Sequence, residues 1–155
     1  MDKHTLLDQL VQQLLADIDE HIKAAEQAHN AATHEQSKAE TQYDTLGLEQ
    51  AYLAHGQSER IDNLQQQIAR LNHFDLRTFD EDDEIHLGAF VQLINSQTNK
   101  NLDVFILPCA GGYTLEKSIH TLTPDTPIAK AIMGLGIDDE FKLGNGQRYR
   151  ITKVS

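Results

Sequence analysis

The chain has 155 residues, 39% of them hydrophobic, which suits one ordinary domain or two small ones and argues against a disordered chain. Acidic residues outnumber Lys plus Arg by 24 to 13, and the formal charge of -11 excludes nonspecific attraction to phosphate backbones or anionic membranes as the force behind binding. The single Cys109 excludes an intramolecular disulfide framework and a Cys-rich zinc site.

No stretch approaches the roughly 20 apolar residues that cross a bilayer, and no signal-like apolar segment opens the chain, so the cytoplasm is the expected location and no membrane partner is expected. Leu7, Val11, Leu14, Ile18, Ile22 and Ala25 recur at helical spacing without Gly or Pro, and Ala28 and Ala32 extend the stripe. This predicts one long helix over residues 4–38, too long to wrap a compact core without a partner helix. Ile61, Leu64, Ile68 and Leu71 supply the partner seam in heptad rhythm.

In an antiparallel hairpin the numbers of facing residues have a nearly constant sum. A sum of 86 pairs Ile61 with Ala25, Leu64 with Ile22, Ile68 with Ile18 and Leu71 with Leu15, all apolar, and centres the fold-back on Tyr43. Sums of 79 and 89 each put one polar residue in the seam, Asp8 and His21 respectively. Ala32 facing Ala54 fits the first register and lets the backbones approach closely.

Residue usage changes near Asp75. Residues 1–74 hold 12 acids and 5 bases and read as the hairpin, whereas residues 85–155 read as a separate sheet domain. Between them, residues 75–84 carry the run Asp80-Glu81-Asp82-Asp83-Glu84, expected to be a solvated linker that repels itself.

In the second unit the odd positions of Ile85 to Leu93 are apolar, the period of a strand with one face on a core, and Leu102, Val104 and Ile106 repeat it. Asn145-Gly146 predicts a tight hairpin between residues 139–143 and 148–154. Thr126 can cap a helix, Pro127 suits its first turn, Ile128, Ala129, Ala131 and Ile132 give it an apolar side, and Gly134 can stop it. The fold class is therefore α+β: an N-terminal antiparallel two-helix coiled coil, then a small antiparallel sheet domain with one short helix.

Thr126-Pro127-Ile128-Ala129-Lys130-Ala131-Ile132-Met133-Gly134 is similar to the Ser-Pro-Ile-Ala-Arg-Ala-Leu-Ile-Gly segment of the Gre transcription elongation factor family. Asp138-Asp139-Glu140, the ending Tyr149-Arg150-Ile151-Thr152-Lys153-Val154 and the stretch Gly88-Ala89-Phe90-Val91-Gln92-Leu93 extend the resemblance over most of residues 85–154. The N-terminal half matches mainly in architecture, with Arg60-Ile61 in about the expected place.

The resemblance implies an FKBP-like C-terminal domain that docks on RNA polymerase, here through Pro127, Ile128, Ala129 and Gly134, and a finger that enters the secondary channel of the polymerase. It also implies that the finger acts at its tip, where two acidic residues of cleavage-stimulating members help hold a magnesium ion of the polymerase. Glu40 and Asp44 flank the fold-back and are the candidates for that shared magnesium, with Glu49 shortly after. The family motif spaces its Asp and Glu three residues apart, whereas here Tyr43 stands at that spacing from Glu40, so a channel-binding regulator that does not promote cleavage stays open beside a cleavage factor.

These expectations make the chain a monomer with no catalytic residues or cofactor of its own and no sequence-specific nucleic-acid contact. Other readings compete. Asp44 suits an N-cap, and Glu40 and Glu49 suit plain exposed carboxylates. Six of the eight histidines precede Asp75, but His29 and His34, five apart, face different sides of a helix. Cys109 suits a small core or loop position, and Gly111-Gly112 a turn. An FKBP-like fold also hosts prolyl isomerases, for which the second unit has no recognisable motif. A coiled-coil adaptor unrelated to transcription is the third class.

Overall fold

The computed structural model describes residues 2–38 and 44–155, and the side chains among them outside 31–55. Its elements are α1 (Lys3–Lys38), α2 (Asp44–Asn72), β1 (Phe90–Asn95), β2 (Asn101–Ile106), β3 (Thr114–Leu115), β4 (Ile119–Leu122), α3 (Pro127–Ile132), β5 (Glu140–Lys142) and β6 (Arg148–Val154). This is the α+β order expected from the periodicities. The chain divides into two compact units, one of Val11–Ala69 and one of Met1–Leu10 with Arg70–Ser155. Residues 1–10 and 70–74, read from sequence as part of the hairpin, thus group with the sheet.

In the helical unit the register differs from the expected one. His21 Nδ1 lies 2.5 Å from Gln57 Oε1, a sum of 78 where 86 was expected. Leu14 and Leu64 are both buried, while Leu15 and Ile22, which the expected register puts in the seam, are 44% and 39% exposed. The physical reason is the pair Leu14-Leu15: either can continue the stripe, and burying the first turns the second outward by about 100°. Asp8, which argued against sums in this range, is itself exposed.

In the sheet unit, α1 begins on a cap. The Asp2 carboxylate accepts the His4 N–H at 3.1 Å and the Thr5 hydroxyl at 2.8 Å. Leu6 and Leu10 are fully buried, as is Leu71 near the end of α2. Each fully buried leucine contributes about 1.5–3 kcal/mol relative to exposure. Lys3 donates to the Arg77 and Gly88 carbonyls at 2.5 and 3.0 Å, with its ammonium 4.8 Å from the centre of the Phe79 ring. Burial lowers the Lys3 pKa, and the Arg77 charge adds to the effect.

Residues 75–84 do not behave as a self-repelling linker. Phe79 is buried, the Asp83 N–H donates to the Asp80 carbonyl, and the Asp83 carboxylate accepts the Asp80 N–H at 2.9 Å. Arg77 stands 3.6 Å from the same carboxylate. A turn that uses one acid as acceptor and one base as counter-charge offsets the local repulsion.

The sheet runs β3-β4-β2-β1-β6-β5. It is antiparallel, as expected, except that β2 and β4 pair in parallel. The short β3 and the turn after it return the chain so that β4 runs alongside β2. Val91, Leu93, Val104, Ile106 and Ile151 form one buried face with Ile132 of α3 and with Ile85. The expected strand from Ile85 starts only at Phe90, because Gly88 takes φ +90° and Ala89 N–H bonds back to the His86 carbonyl in a turn. The alternation before it is still one of burial, with Ile85 and Ala89 inside.

The final hairpin closes through three residues. Leu143 N–H donates to the Gln147 carbonyl, Gly146 N–H to the Leu143 carbonyl, and only Gly146 of the pair Asn145-Gly146 has positive φ. This is a type I turn with a glycine bulge in place of the expected two-residue turn.

Candidate functional site

α3 places the segment that carries the family resemblance. Pro127 occupies its first turn and is exposed, Ala129 and Ile132 are fully buried, and Ile128 packs half-buried against the core. Ala129 therefore seats the helix and offers no surface of its own. Gly134 is exposed at φ +82°, and its N–H donates to the Ile85 carbonyl, while Ile85 N–H donates to the Leu135 carbonyl. These two bonds fix the end of α3 to the start of the sheet core.

Thr126 has N-cap dihedrals but makes no side-chain cap. Its hydroxyl donates to the Thr123 carbonyl at 2.8 Å instead of accepting from the helix. The Thr123 hydroxyl in turn donates to Asp125 Oδ1 at 2.5 Å. That bond, then the backbone N–H of Asp125 and the charge of Lys130, holds the Asp125 carboxyl below the usual carboxylate range. Asp125, Pro127 and Lys130 are exposed residues that this segment offers around the start of α3.

Of the four docking candidates, Pro127, Ile128 and Gly134 reach the surface wholly or in part, and Ala129 does not. Asp125 and Lys130 were missed by sequence reasoning. The signal was present: Asp125 is a charge just ahead of the N-cap Thr126, and Lys130 is a charge among the apolar positions of α3. At the tip, Glu40 lies outside the described residues, as do Tyr43 and the fold-back, and Asp44 and Glu49 lie in α2 with side chains outside those described.

Other candidates resolve into structure. Cys109 is buried; desolvation pushes its thiol up, with Arg70 opposing. At Gly111 a Cβ would stand 3.2 Å from the Thr123 nitrogen, and Gly112 takes φ +89° while bonding to the Thr121 carbonyl, so both serve a tight turn. Among the described residues no group of three or more His, Cys, Asp and Glu side chains could hold a metal ion, and no helix is long and apolar enough to cross a membrane.

No protein-family model and no curated protein sequence matches the chain. Among solved structures it is similar to the GreA factor homolog 1 (Gfh1) protein of Thermus thermophilus, at 21% identity over 94% of both chains with a TM-score of 0.41. It is similar to Gfh1 of Thermus aquaticus, at 21% identity over 92% of both chains with a TM-score of 0.41. A third likeness is to the prokaryotic transcription elongation factor GreA/GreB of Nitrosomonas europaea, at 18% identity over 61% of this chain and 78% of that one, with a TM-score of 0.39. These are likenesses of fold with modest superposition.

Proposed function

We propose that the chain is a Gre-like transcription regulator that binds RNA polymerase and inserts its helical hairpin into the secondary channel. The observation that carries this reading is the family-like segment from Thr126 to Gly134, which folds as a discrete helix seated by Ala129 and Ile132 and exposing Pro127 and Lys130. A separate unit made of two long helices, α1 and α2, supports it, since a finger of that kind can reach a site that a compact domain cannot.

In this reading the chain has no catalytic group of its own. The sheet domain attaches, and the tip acts within the active site of the polymerase. Glu40 and Asp44 would supply carboxylate oxygens, the hard donors that Mg²⁺ prefers, to an ion shared with the polymerase, and Glu49 adds negative charge nearby. Tyr43, standing where the cleavage motif has its second acid, favours a second reading in which the finger occupies the channel and regulates without promoting cleavage.

A backtracked elongation complex made with purified cognate polymerase separates the two. Faster transcript cleavage that disappears in the Glu40→Ala/Asp44→Ala double variant supports the tip chemistry. Inhibition of elongation that survives in that variant supports occlusion by the bulk of the finger. Absence of polymerase binding by the unmodified chain removes both and leaves the coiled-coil adaptor.

A further inference from the structure

The sheet ends on one side at β5, a three-residue strand paired only with β6. Hydrogen-bonding parity shows where its free groups lie. Ile151 N–H donates to the Asp139 carbonyl and Leu143 N–H to the Gln147 carbonyl, so the bonded pairs fall on residues 139, 141 and 143 of this strand and its extensions. The N–H and C=O groups of Glu140 and Lys142 therefore point away from β6, to the open edge. Among the described residues nothing else bonds to them.

The side chains at this edge are sorted by face. Phe141 and Tyr149 turn inward and stack, with ring centroids 5.6 Å apart and planes within 16°, which holds β5 on β6. Glu140 and Lys142 turn outward together with Arg150 and Arg148, their directly opposite partners, and all four are exposed. Lys142, Arg148 and Arg150 take part in no ion pair among the described residues, in a chain with 24 acids. Glu140, Phe141, Lys142 and Arg148 line a groove of about 220 Å³ along this edge.

We propose that the β5 edge binds an extended, amphipathic acidic segment of a partner protein, which adds to the sheet as a further strand. The outward amides and carbonyls of Glu140 and Lys142 supply the backbone pairing. A strand in that position alternates its side chains: one set lies beside Phe141 and is best apolar, the other lies beside Lys142 within reach of Arg148 and is best acidic. Nucleic acid fits the edge less well. The outer face exposes no aromatic ring for base stacking, backbone amides recognise peptide, and the net charge of -11 repels a long polyanion far more than a short acidic strand. A second copy of this chain is also disfavoured, because pairing β5 with β5 would match Glu140 to Lys142 but leave Arg148 and Arg150 without acidic partners.

The test uses the full chain and a short capped peptide alternating glutamate and valine. Saturable binding that weakens with added salt is expected, with the Glu140 and Lys142 amides gaining hydrogen-exchange protection of at least about tenfold. The Lys142→Glu/Arg148→Glu variant should bind at least about tenfold more weakly while keeping its thermal stability. Lys142→Pro should also lose binding, since it removes an outward N–H and leaves the β6 ladder intact; should this variant unfold, the charge-reversed one decides. The proposal is overturned if binding brings no protection at those two amides, or if charge reversal or a lysine-for-glutamate peptide leaves affinity unchanged. It is equally overturned if an oligonucleotide protects the edge as well as the peptide does, or if the chain alone dimerises through it.

Discussion

His21 Nδ1 donates to Gln57 Oε1 across 2.5 Å, and this bond joins α1 to α2 in a register that buries Leu14 and exposes Leu15. Two adjacent leucines therefore carry opposite energetic weight. Leu14→Ala should destabilise the helical unit by about 2–5 kcal/mol, and Leu15→Ala by no more than roughly 0.5–1 kcal/mol. Urea unfolding followed by far-UV circular dichroism checks this. Equal losses, or the reverse order, would restore the register that pairs Leu15 with Leu71.

Gly88 tests the start of the sheet core. At φ +90° an added Cβ would meet the Phe74 ring at 3.3 Å, whereas at Gly146, φ +86°, it would meet nothing within 4 Å. Gly88→Ala should therefore cost about 1–3 kcal/mol, and Gly146→Ala less, near the roughly 1 kcal/mol of backbone strain alone. Chemical denaturation of the two variants side by side gives the difference.

The pH dependence of α1 follows from its cap. The Thr5 hydroxyl, then the His4 N–H, holds the Asp2 carboxyl below its ordinary value. A carboxylate whose pKa is depressed by folding stabilises the fold above its unfolded pKa, and that stability is lost as pH falls through the folded value. Thermal stability should therefore fall more steeply below the ordinary carboxylate range in the unmodified chain than in Asp2→Asn, which can still accept a hydrogen bond but does not titrate. Parallel pH profiles for the two would remove Asp2 from the account.

How far these features could be read in the sequence depended on how local their causes are. The first long helix was legible because apolar spacing without Gly or Pro is a local signal, and the seam Ile61, Leu64, Ile68 and Leu71 marked the second, which also runs through Gly47 and Gly56. Their register was not, since Leu14 and Leu15 satisfy the stripe equally, and the contact between His21 and Gln57 and the burial of Leu14 in place of Leu15 are matters of packing. β3 and β4 left no clear trace: the turn between them puts Glu116 and Lys117 at positive φ without a glycine, and buried Thr121 breaks the apolar pattern while bonding to the Ala110 carbonyl at 2.7 Å. At α3 the motif and its helix were legible residue by residue. The inward aim of Ala129 emerged only from packing, and Glu40, Asp44 and Glu49 stand as proposals from sequence.

Attachment through α3 predicts a separation of folding from binding. Lys130→Glu and Pro127→Ala alter exposed positions and should leave thermal stability nearly unchanged, yet weaken polymerase binding by about tenfold or more. Ala129→Leu should act the other way, overpacking a fully buried site at a cost of about 1–3 kcal/mol and losing binding only through the fold. Full polymerase affinity in the Lys130→Glu and Pro127→Ala variants would move docking away from this helix.

Photo-crosslinking from Gln42, beside Glu40 and Asp44 in sequence, in the complex with purified cognate RNA polymerase tests whether the finger lies inside the secondary channel. Crosslinks to polymerase residues lining the secondary channel close to the active site are expected, suppressed when an established channel-binding factor competes. Crosslinks confined to the outer surface of the polymerase, or none from a chain shown to be bound, would contradict that placement.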